Sequence, residues 1–264
     1  MSETQGIYDG KNAAKQTSGA ACEASAPADK GILYGVSVGP GDPELLTLKA
    51  KRTIEECDVI AYPVRVRGER SVAFSIIRDV ADISGKIIKE LLFQMSSDRA
   101  VRESNYDAAI QELTSQLDLG RNVCMITLGD AMVYSTFMRV GKDIEKKGYG
   151  LNVIPGVPSF CDGAARAKIP LVIGTEGLAV VSAAEGSDLF RTALDEFDNV
   201  VIMKAYGSIE KISEKIDSLG KAAEVLVVSN VGLEDQYIGP LDKNRRYGYF
   251  TTVIVKKNEG AKRK

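Results

Sequence analysis

The chain has 264 residues, of which 44% are hydrophobic and 27% are charged, a balance typical of globular proteins. Its formal net charge of −2 disfavours nucleic acid as a partner, and its lack of histidine excludes Ser-His-Asp catalysis and His-ligated metals. The four cysteines are far apart in sequence, which argues against a zinc site or a disulfide framework. We therefore expect a cytoplasmic protein with reduced thiols, no bound metal and no membrane segment.

The two ends of the chain are predicted to stay outside the folded part. Residues 1–30 are rich in Ala, Ser, Gly and Lys without apolar periodicity, which predicts a disordered tail. Residues 259–264 form a short basic tail. Between these tails, repeated strand-turn-helix units predict an α/β fold of two domains, 31–154 and 155–258. We expect largely parallel sheets and a cofactor cleft between the domains.

The predicted elements alternate along the chain. The strands cover 32–38, 58–62, 87–93, 122–128, 151–154, 178–183, 200–204 and 224–229. The helices cover 43–56, 105–118, 132–147, 187–197 and 208–219. Asp42 is placed to cap the first helix, Pro43 suits its first position, and Pro63 is expected to end the second strand. Segments 236–238 and 249–255 are predicted to pair as an antiparallel edge.

Three turns at strand ends share one design. The first turn covers 39–43, the second 128–132 and the third 155–159. Each places a glycine before a predicted helix, so that the backbone can approach a ligand and the helix N–H groups can donate to it. The first turn is not a dinucleotide fingerprint, because Glu44 stands where the third glycine would be. Residue chemistry alone thus predicts an α/β protein with a ligand cleft, and a helix-capping turn is the alternative for each turn.

The three turns also carry a family resemblance. Residues 35–50 (GVSVGPGDPELLTLKA), 126–137 (ITLGDAMVYSTF) and 153–160 (VIPGVPSF) resemble, in order and spacing, three motifs of the tetrapyrrole methylase family. The similarity runs from about residue 31 to 255. Residues 92–98 and 134–137 look like the C-20 methyltransferases of that family, which act on precorrin-2 or cobalt-factor II.

The resemblance implies an S-adenosylmethionine-dependent C-methyltransferase of cobalamin biosynthesis. It would methylate C-20 of cobalt-factor II or precorrin-2, release S-adenosylhomocysteine and act as a homodimer, with the ITLGD phrasing favouring the cobalt form. The three turns would converge around the sulfonium cofactor. One departure is Ala131, which stands where the family usually has proline and so loses a fixed φ angle.

Carried over by position, the resemblance implies a donor pocket between the domains. Its predicted lining residues are Pro40, Gly129, Asp130, Ala131, Val133, Pro158, Ser159, Lys204 and Gly232. Asp130 and Tyr134 are predicted catalytic residues, because loss of the C-20 proton needs an acceptor and the chain has no histidine. Water is the other candidate. Helix capping by Asp130 and simple packing by Tyr134 are the structural alternatives.

The substrate implied by the family is a macrocycle edged with carboxylates, for which arginine is the natural partner. Arg65, Arg67 and Arg70 follow the second predicted strand and are expected to capture it, unless they belong to an exposed charged loop. Ser135 and Thr136 complete the predicted substrate site. Weaker candidates are Arg139 and Lys204.

Two other functions stay open. One lies within the family: methylation of a different ring carbon, of rRNA or of a diphthamide precursor, although the acidic balance disfavours RNA. The other is a non-catalytic module that senses a metabolite, which would bind the donor without turnover.

Overall fold

The protein is described here by a computed structural model that covers residues 30–94, 96, 98–184, 187–218 and 223–257. Both predicted tails therefore lie outside the described residues, apart from Lys30. The same holds for Met95 and Ser97 within the stretch 92–98, and for Leu219 at the end of a predicted helix.

The first half of the chain builds an all-parallel sheet in the order β3-β2-β4-β1-β5. Its strands are β1 Ile32–Ser37, β2 Val59–Val64, β3 Ile87–Leu92, β4 Val123–Thr127 and β5 Gly150–Ile154. The central strand β4 is buried along its whole length, as expected for a parallel sheet that is covered on both faces. Each strand lies within two residues of its predicted bounds.

Pro63 does not end β2, contrary to the prediction. The strand continues to Val64, with Pro63 paired to Leu91 of β3. On the other side, pairing with β4 stops at Ala61. The missing N–H of Pro63 therefore falls where β2 has only one neighbouring strand, a position that tolerates proline.

The second half builds a mixed sheet in the order β6-β7-β10-β8-β9. Its strands are β6 Leu178–Ser182, β7 Asn199–Met203, β8 Ala223–Ser229, β9 Tyr237–Gly239 and β10 Thr251–Lys257. Strands β6 and β7 are parallel, whereas β10 runs antiparallel to β7 and β8, and β9 antiparallel to β8. The predicted two-sheet α/β fold is confirmed. The strands of the first sheet are parallel, as expected, whereas the second sheet is mixed.

The predicted antiparallel edge made of 236–238 and 249–255 is wrong. Strand β9 pairs with β8, and β10 lies in the middle of the sheet between β7 and β8. The first five residues of β10 are all buried, which suits a central strand and not an edge.

Helices cover both faces of each sheet. They are α1 Leu48–Glu56, α2 Val72–Arg78, α3 Arg99–Leu117, α4 Phe137–Lys146, α5 Ser159–Ala167, α6 Leu189–Glu196 and α7 Ile209–Ser218. On the first sheet, α3 and α4 pack on one face and α1 and α2 on the other. On the second sheet, α6 and α7 pack on one face and α5 on the other. Within the described ranges, no helix is both long and apolar enough to cross a membrane.

The first predicted helix is in fact two elements. Asp42 accepts a hydrogen bond from the Glu44 N–H at 3.0 Å, but it caps only a 3-10 turn over Pro43–Leu45. A separate helix, α1, begins at Leu48, because the Thr47 hydroxyl accepts the Ala50 N–H at 3.1 Å and provides its own cap.

Three further helix predictions need correction. The helix expected from 132 begins only at Phe137, because Tyr134 has a φ of 49°, a left-handed conformation that an α-helix excludes. Helix α3 begins six positions earlier than predicted, because Asp98 caps it by accepting the Ala100 N–H at 2.8 Å. Helix α2, which Ser71 caps, was not predicted, and neither were the bounds of α5.

Candidate active site

The three glycine turns meet at one place, as the sequence predicted. Gly39 of the first turn and Gly129 of the second exchange backbone hydrogen bonds, with N···O distances of 3.2 and 2.7 Å. Both have left-handed φ angles, 79° and 72°. Gly156 of the third turn fits closely against them: a Cβ there would lie 2.6 Å from the Ser37 Cβ and 3.0 Å from the Gly129 carbonyl oxygen. Convergence thus depends on backbone contact that a larger residue would prevent.

Asp130 joins the second turn to the third. One carboxylate oxygen accepts the Met132 N–H and the other accepts the Gly156 N–H, each at 2.8 Å. The residue is only 9% exposed. Its capping role is therefore real, but it holds two turns together instead of starting a helix. Because each oxygen has further lone pairs, the carboxylate can still accept a hydrogen bond from a ligand.

Ala131 supports the second turn from behind. Its N–H donates to the Ser37 hydroxyl oxygen at 2.8 Å, and both residues are completely buried. Proline has no N–H and could not make this bond. The residue packs into the core of the first sheet and does not line the cleft. The hydrogen bond to Ser37 thus fixes the turn by a different means from the proline that the family usually has.

The first turn is also held against the second half of the chain. A Cβ on Gly41 would lie 2.6 Å from the Val231 carbonyl oxygen, and one on Gly232 would lie 2.8 Å from the Asp42 nitrogen. Arg166 of α5 pairs with Asp42 at 3.2 Å. Gly232 therefore fixes the approach of the two halves but does not itself line the cleft.

A chamber of about 410 Å³ opens between the ends of the two sheets, beside the converging turns. We call it the first chamber. The predicted residues that line it are Pro40, Arg65, Arg70, Gly129, Asp130, Val133, Tyr134, Ser135, Thr136, Pro158, Ser159 and Lys204. Its volume falls within the roughly 300–1,000 Å³ usual for small-molecule sites. Met203 lines it while packing into the core, and Met132 is exposed outside it.

A second chamber of about 580 Å³ adjoins the first. Its lining residues are Phe93, Gln94, Arg102, Asn105, Tyr106, Thr136, Ala183, Ala184, Ser187, Asp188, Lys204, Tyr206, Gly207, Ser208, Lys211 and Tyr249. Phe93, Thr136, Lys204 and Tyr249 line both chambers. Sequence reasoning did not single out most of these residues, because they come from helices and loops without a recognisable motif.

Lys204 stands at the junction of the two chambers, on a left-handed backbone with a φ of 56°. The residue as a whole is exposed, yet the neighbouring cleft walls partly desolvate its ammonium, which lowers its pKa. Its ammonium group makes no hydrogen bond or ion pair with any residue in the described ranges. Its charge is therefore available to a ligand.

Tyr134 reaches across the cleft, and its hydroxyl donates to the Val180 carbonyl oxygen of β6 at 3.0 Å. The contact joins the second turn to the edge strand of the second sheet. Ser135 uses its hydroxyl to accept the Phe137 N–H at 3.0 Å, where α4 begins. The catalytic role predicted for Tyr134 stays a prediction.

The three predicted arginines do not all line the cleft. Arg65 is paired with Glu69, which raises the pKa of the guanidinium, and its guanidinium carbon lies 5.4 Å from the centre of the Tyr249 ring. Arg70 lines the first chamber, whereas Arg67 is exposed and lines neither chamber. Arg139 is likewise outside both, over the Tyr106 ring at 3.8 Å.

These features define a class: an α/β protein of two sheets with a ligand cleft between them, bordered by converging glycine turns. The family model for Tetrapyrrole (Corrin/Porphyrin) Methylases matches residues 32–242. The chain belongs to this family. The resemblance and the expectation of a methyltransferase are confirmed.

Curated relatives share the sequence over most of its length. The chain is 34% identical to the cobalt-precorrin-2 C(20)-methyltransferase of Salmonella typhimurium, an alignment that covers 86% of this chain and 97% of the relative. It is also 34% identical to a probable enzyme of the same name from Methanocaldococcus jannaschii, over 85% and 96%. The precorrin-2 C(20)-methyltransferase of a Sinorhizobium species is 25% identical, over 85% and 95%.

Solved structures confirm the fold. A cobalt precorrin-4 methyltransferase superposes with a TM-score of 0.65 at 18% identity and covers 85% of this chain and 94% of its own. Uroporphyrin-III C-methyltransferase from Thermus thermophilus, solved in complex with S-adenosylhomocysteine, gives a TM-score of 0.64 at 23% identity, over 87% and 98%.

Proposed function

We propose that this methylase transfers a methyl group from S-adenosylmethionine to C-20 of a precorrin-2-type macrocycle in cobalamin biosynthesis. The convergence of the three turns on the first chamber is the observation that carries the proposal. The identity of 34% to cobalt-precorrin-2 methyltransferases, against 25% to the relative named for precorrin-2, favours a cobalt-containing substrate such as cobalt-factor II.

The residues of the first chamber suit the proposed donor. Gly129 is open on the side where its Cβ would point, with no atom nearer than 3.8 Å, so a ligand can approach the backbone there. No side chain caps the start of α5 at Pro158 and Ser159, and its first N–H groups can donate to a ligand carboxylate. Val133 supplies apolar wall for an adenine, and the Asp130 carboxylate is a natural acceptor for an ammonium group.

When bound, S-adenosylmethionine supplies a methyl group already activated by its sulfonium. The protein's part in the displacement is to align the two reactants and to exclude water. Tyr134 contributes by linking the two halves of the cleft through Val180. The Asp130 carboxylate can receive the C-20 proton directly, whereas the neutral Tyr134 phenol can take part only as a relay that passes its own hydroxyl proton on to water. We retain both as proposed catalytic residues beside water.

The test is turnover of the full chain with S-adenosylmethionine and either cobalt-precorrin-2 or metal-free precorrin-2, followed by mass spectrometry. We expect one methyl group to be added to the cobalt substrate and little to the metal-free one. Faster methylation of the metal-free substrate would reverse the choice of route. Binding of S-adenosylhomocysteine without methylation of either macrocycle would instead indicate a sensing module.

We also propose a cytoplasmic homodimer without nucleic acid or membrane partners. The dimer is supported by the family resemblance, and the absence of nucleic acid by the net charge of −2. Cys57, Cys124 and Cys161 are free thiols, as expected in a reducing compartment. Contact with Cys57 and burial raise the pKa of Cys124, which keeps this thiol protonated and inert. Light scattering on the purified chain tests the dimer, and a monomer mass would contradict it.

A further inference from the structure

The backbone of Lys204 is strained at the point where the side chain enters the cleft. The residue follows β7 directly and borders the first and the second chamber alike. Its φ of 56° and ψ of 38° form a left-handed conformation, which costs free energy in any residue other than glycine. Strain of this kind is concentrated at functional sites, where the surrounding structure holds a side chain in one direction.

Lys204 differs from the other candidate proton acceptors of the cleft in having no partner. Both carboxylate oxygens of Asp130 already accept backbone N–H groups, and the Tyr134 hydroxyl donates its hydrogen to Val180. In the part of the chain that the structure describes, no oxygen atom binds the Lys204 ammonium. Loss of its proton therefore breaks no bond to these residues, and the amine lone pair that appears is free for a substrate.

The surroundings of Lys204 favour its neutral form. Partial desolvation by the cleft walls lowers its pKa. The other titratable and charged residues that line the first chamber are Arg65, Glu69, Arg70, Asp130, Tyr134 and Tyr249. Those that line the second chamber are Arg102, Tyr106, Asp188, Tyr206, Lys211 and Tyr249. The carboxylates among them are engaged elsewhere, since Glu69 pairs with Arg65 and Arg191 lies 4.0 Å from Asp188.

The proposed methyl donor brings a further positive charge next to this lysine. S-adenosylmethionine carries a sulfonium, and its proposed place is the first chamber, which Lys204 lines. Like charges in a partly desolvated cleft repel each other, so the donor binds better when the lysine is neutral. Donor binding thus promotes loss of the Lys204 proton, and a free amine then stands beside the methyl group that is to be transferred.

We propose that Lys204, as a neutral amine, is the residue that removes the proton from C-20 during methyl transfer. This inference rests on the proposed function and adds a catalytic residue to it. The carbon that receives the methyl group must touch the donor. C-20 therefore lies at the edge of the first chamber, wherever the rest of the macrocycle is held, and Lys204 borders that chamber.

The step is balanced without any further reactant. The bond between sulfur and the methyl carbon breaks, and its electron pair stays on sulfur. A π electron pair of the macrocycle forms the new bond from C-20 to the methyl carbon. Lys204 then takes the C-20 proton on its amine, and the electron pair of the C–H bond returns to the ring. The resulting ammonium passes its proton to water.

The first test is the affinity of the full chain for S-adenosylmethionine, measured by calorimetry at about pH 7 and about pH 8.5. Because the neutral lysine favours the cationic donor, we expect this affinity to rise with pH about threefold more in the wild-type protein than in Lys204→Met. The donor's own amino group titrates in both proteins and cancels in the comparison. Equal pH dependence in the two proteins would overturn the inference.

The second test is the kcat for methyl transfer to the macrocycle. Lys204→Met and Lys204→Arg should both lose about a hundredfold or more, because a guanidinium stays charged and cannot accept a proton. Methylamine added to Lys204→Ala should restore at least about tenfold, with a larger effect at higher pH. Lys142→Met should keep the wild-type kcat, since Lys142 is exposed on α4 and lines neither chamber.

The variants separate this inference from the proposed function. Activity of Lys204→Arg close to that of the wild type would show that only the charge of Lys204 matters, which overturns the inference and leaves the proposed function intact. A chain that methylates neither macrocycle would reject the proposed function. A pH dependence of donor affinity that Lys204→Met abolishes would still identify Lys204 as the titrating group beside the donor.

Discussion

The two chambers are built in different ways. The first chamber is shaped mainly by backbone, because its glycine turns approach so closely that they leave no room for a side chain. Asp130 holds two of these turns together by accepting hydrogen bonds from their backbone N–H groups. The second is shaped by side chains, with aromatic pairs and lysines from helices and loops. A donor common to a family suits a fixed backbone surface, whereas substrates that differ between relatives suit replaceable side chains.

This contrast predicts that small changes at the glycine turns have the largest effects. Gly156→Ala places a Cβ 2.6 Å from the Ser37 Cβ and 3.0 Å from the Gly129 carbonyl oxygen, so the turns must move apart. We expect the affinity for S-adenosylhomocysteine to fall at least about tenfold, with a stability loss of about 1–3 kcal/mol. Gly177→Ala is the control, since its nearest contact would be an ordinary 3.5 Å. Equal donor affinities in the two variants would show that the turns adapt.

Asp130 is the next most sensitive position. Asn has nearly the same size but only one acceptor oxygen, so Asp130→Asn leaves either the Met132 or the Gly156 N–H without a partner. We expect a loss of about 1.5–3 kcal/mol in the free energy of unfolding and weaker donor binding. Asp130→Ala should weaken the donor further. Calorimetry measures both, and unchanged donor affinity in the Ala variant would remove Asp130 from the site.

A smaller effect is expected at the hydrogen bond between Ala131 and Ser37. Ser37→Ala leaves the buried Ala131 N–H unpaired, which should cost about 1–2 kcal/mol in urea unfolding. Ala131→Pro leaves the serine hydroxyl unpaired instead. The double variant removes donor and acceptor together, and we expect it to be more stable than Ser37→Ala alone. Additive losses in the double variant would mean that this bond does not hold the turn.

The smallest effect should come from the contact that crosses the cleft. Tyr134→Phe removes the hydrogen bond to Val180, and we expect it to lower the free energy of unfolding by about 0.5–1.5 kcal/mol. The kcat decides whether Tyr134 also has a catalytic role. A loss of about a hundredfold or more would place the phenol in proton transfer, and a change within about twofold would leave it a purely structural role.

The sequence predicted the backbone-built part of the molecule well. Buried β-branched runs bounded by Gly or Pro marked the strands, and carboxyl ends of parallel strands necessarily gather at one sheet edge. Predictions failed where distant contacts decide local structure. Tyr134 has a left-handed backbone conformation, and its hydroxyl donates to the Val180 carbonyl across the cleft. The segment around it therefore forms no helix, although its sequence is helix-like. The central place of β10 depends on partners far away in the sequence.

Most residues that line the second chamber could not be identified from the sequence. Asn105 and Lys211 lie on the helices α3 and α7, where a polar residue normally faces solvent and carries no functional signal. Arg65 looked like a free cation, but Glu69, four residues later, neutralises it. A charge count along the chain cannot tell which basic residues already have a partner.

The order of strands in the second sheet has a consequence for synthesis on the ribosome. Strands β7 and β8 emerge before β10, which must later insert between them. Until β10 arrives, both expose unpaired backbone along what will become the middle of the sheet, and such open edges invite aggregation. The parallel sheet can meanwhile form, because all of its strands precede β6 in the chain. The nascent chain therefore passes through a half-finished state, and a chaperone that shields β7 and β8 would be most useful at that stage.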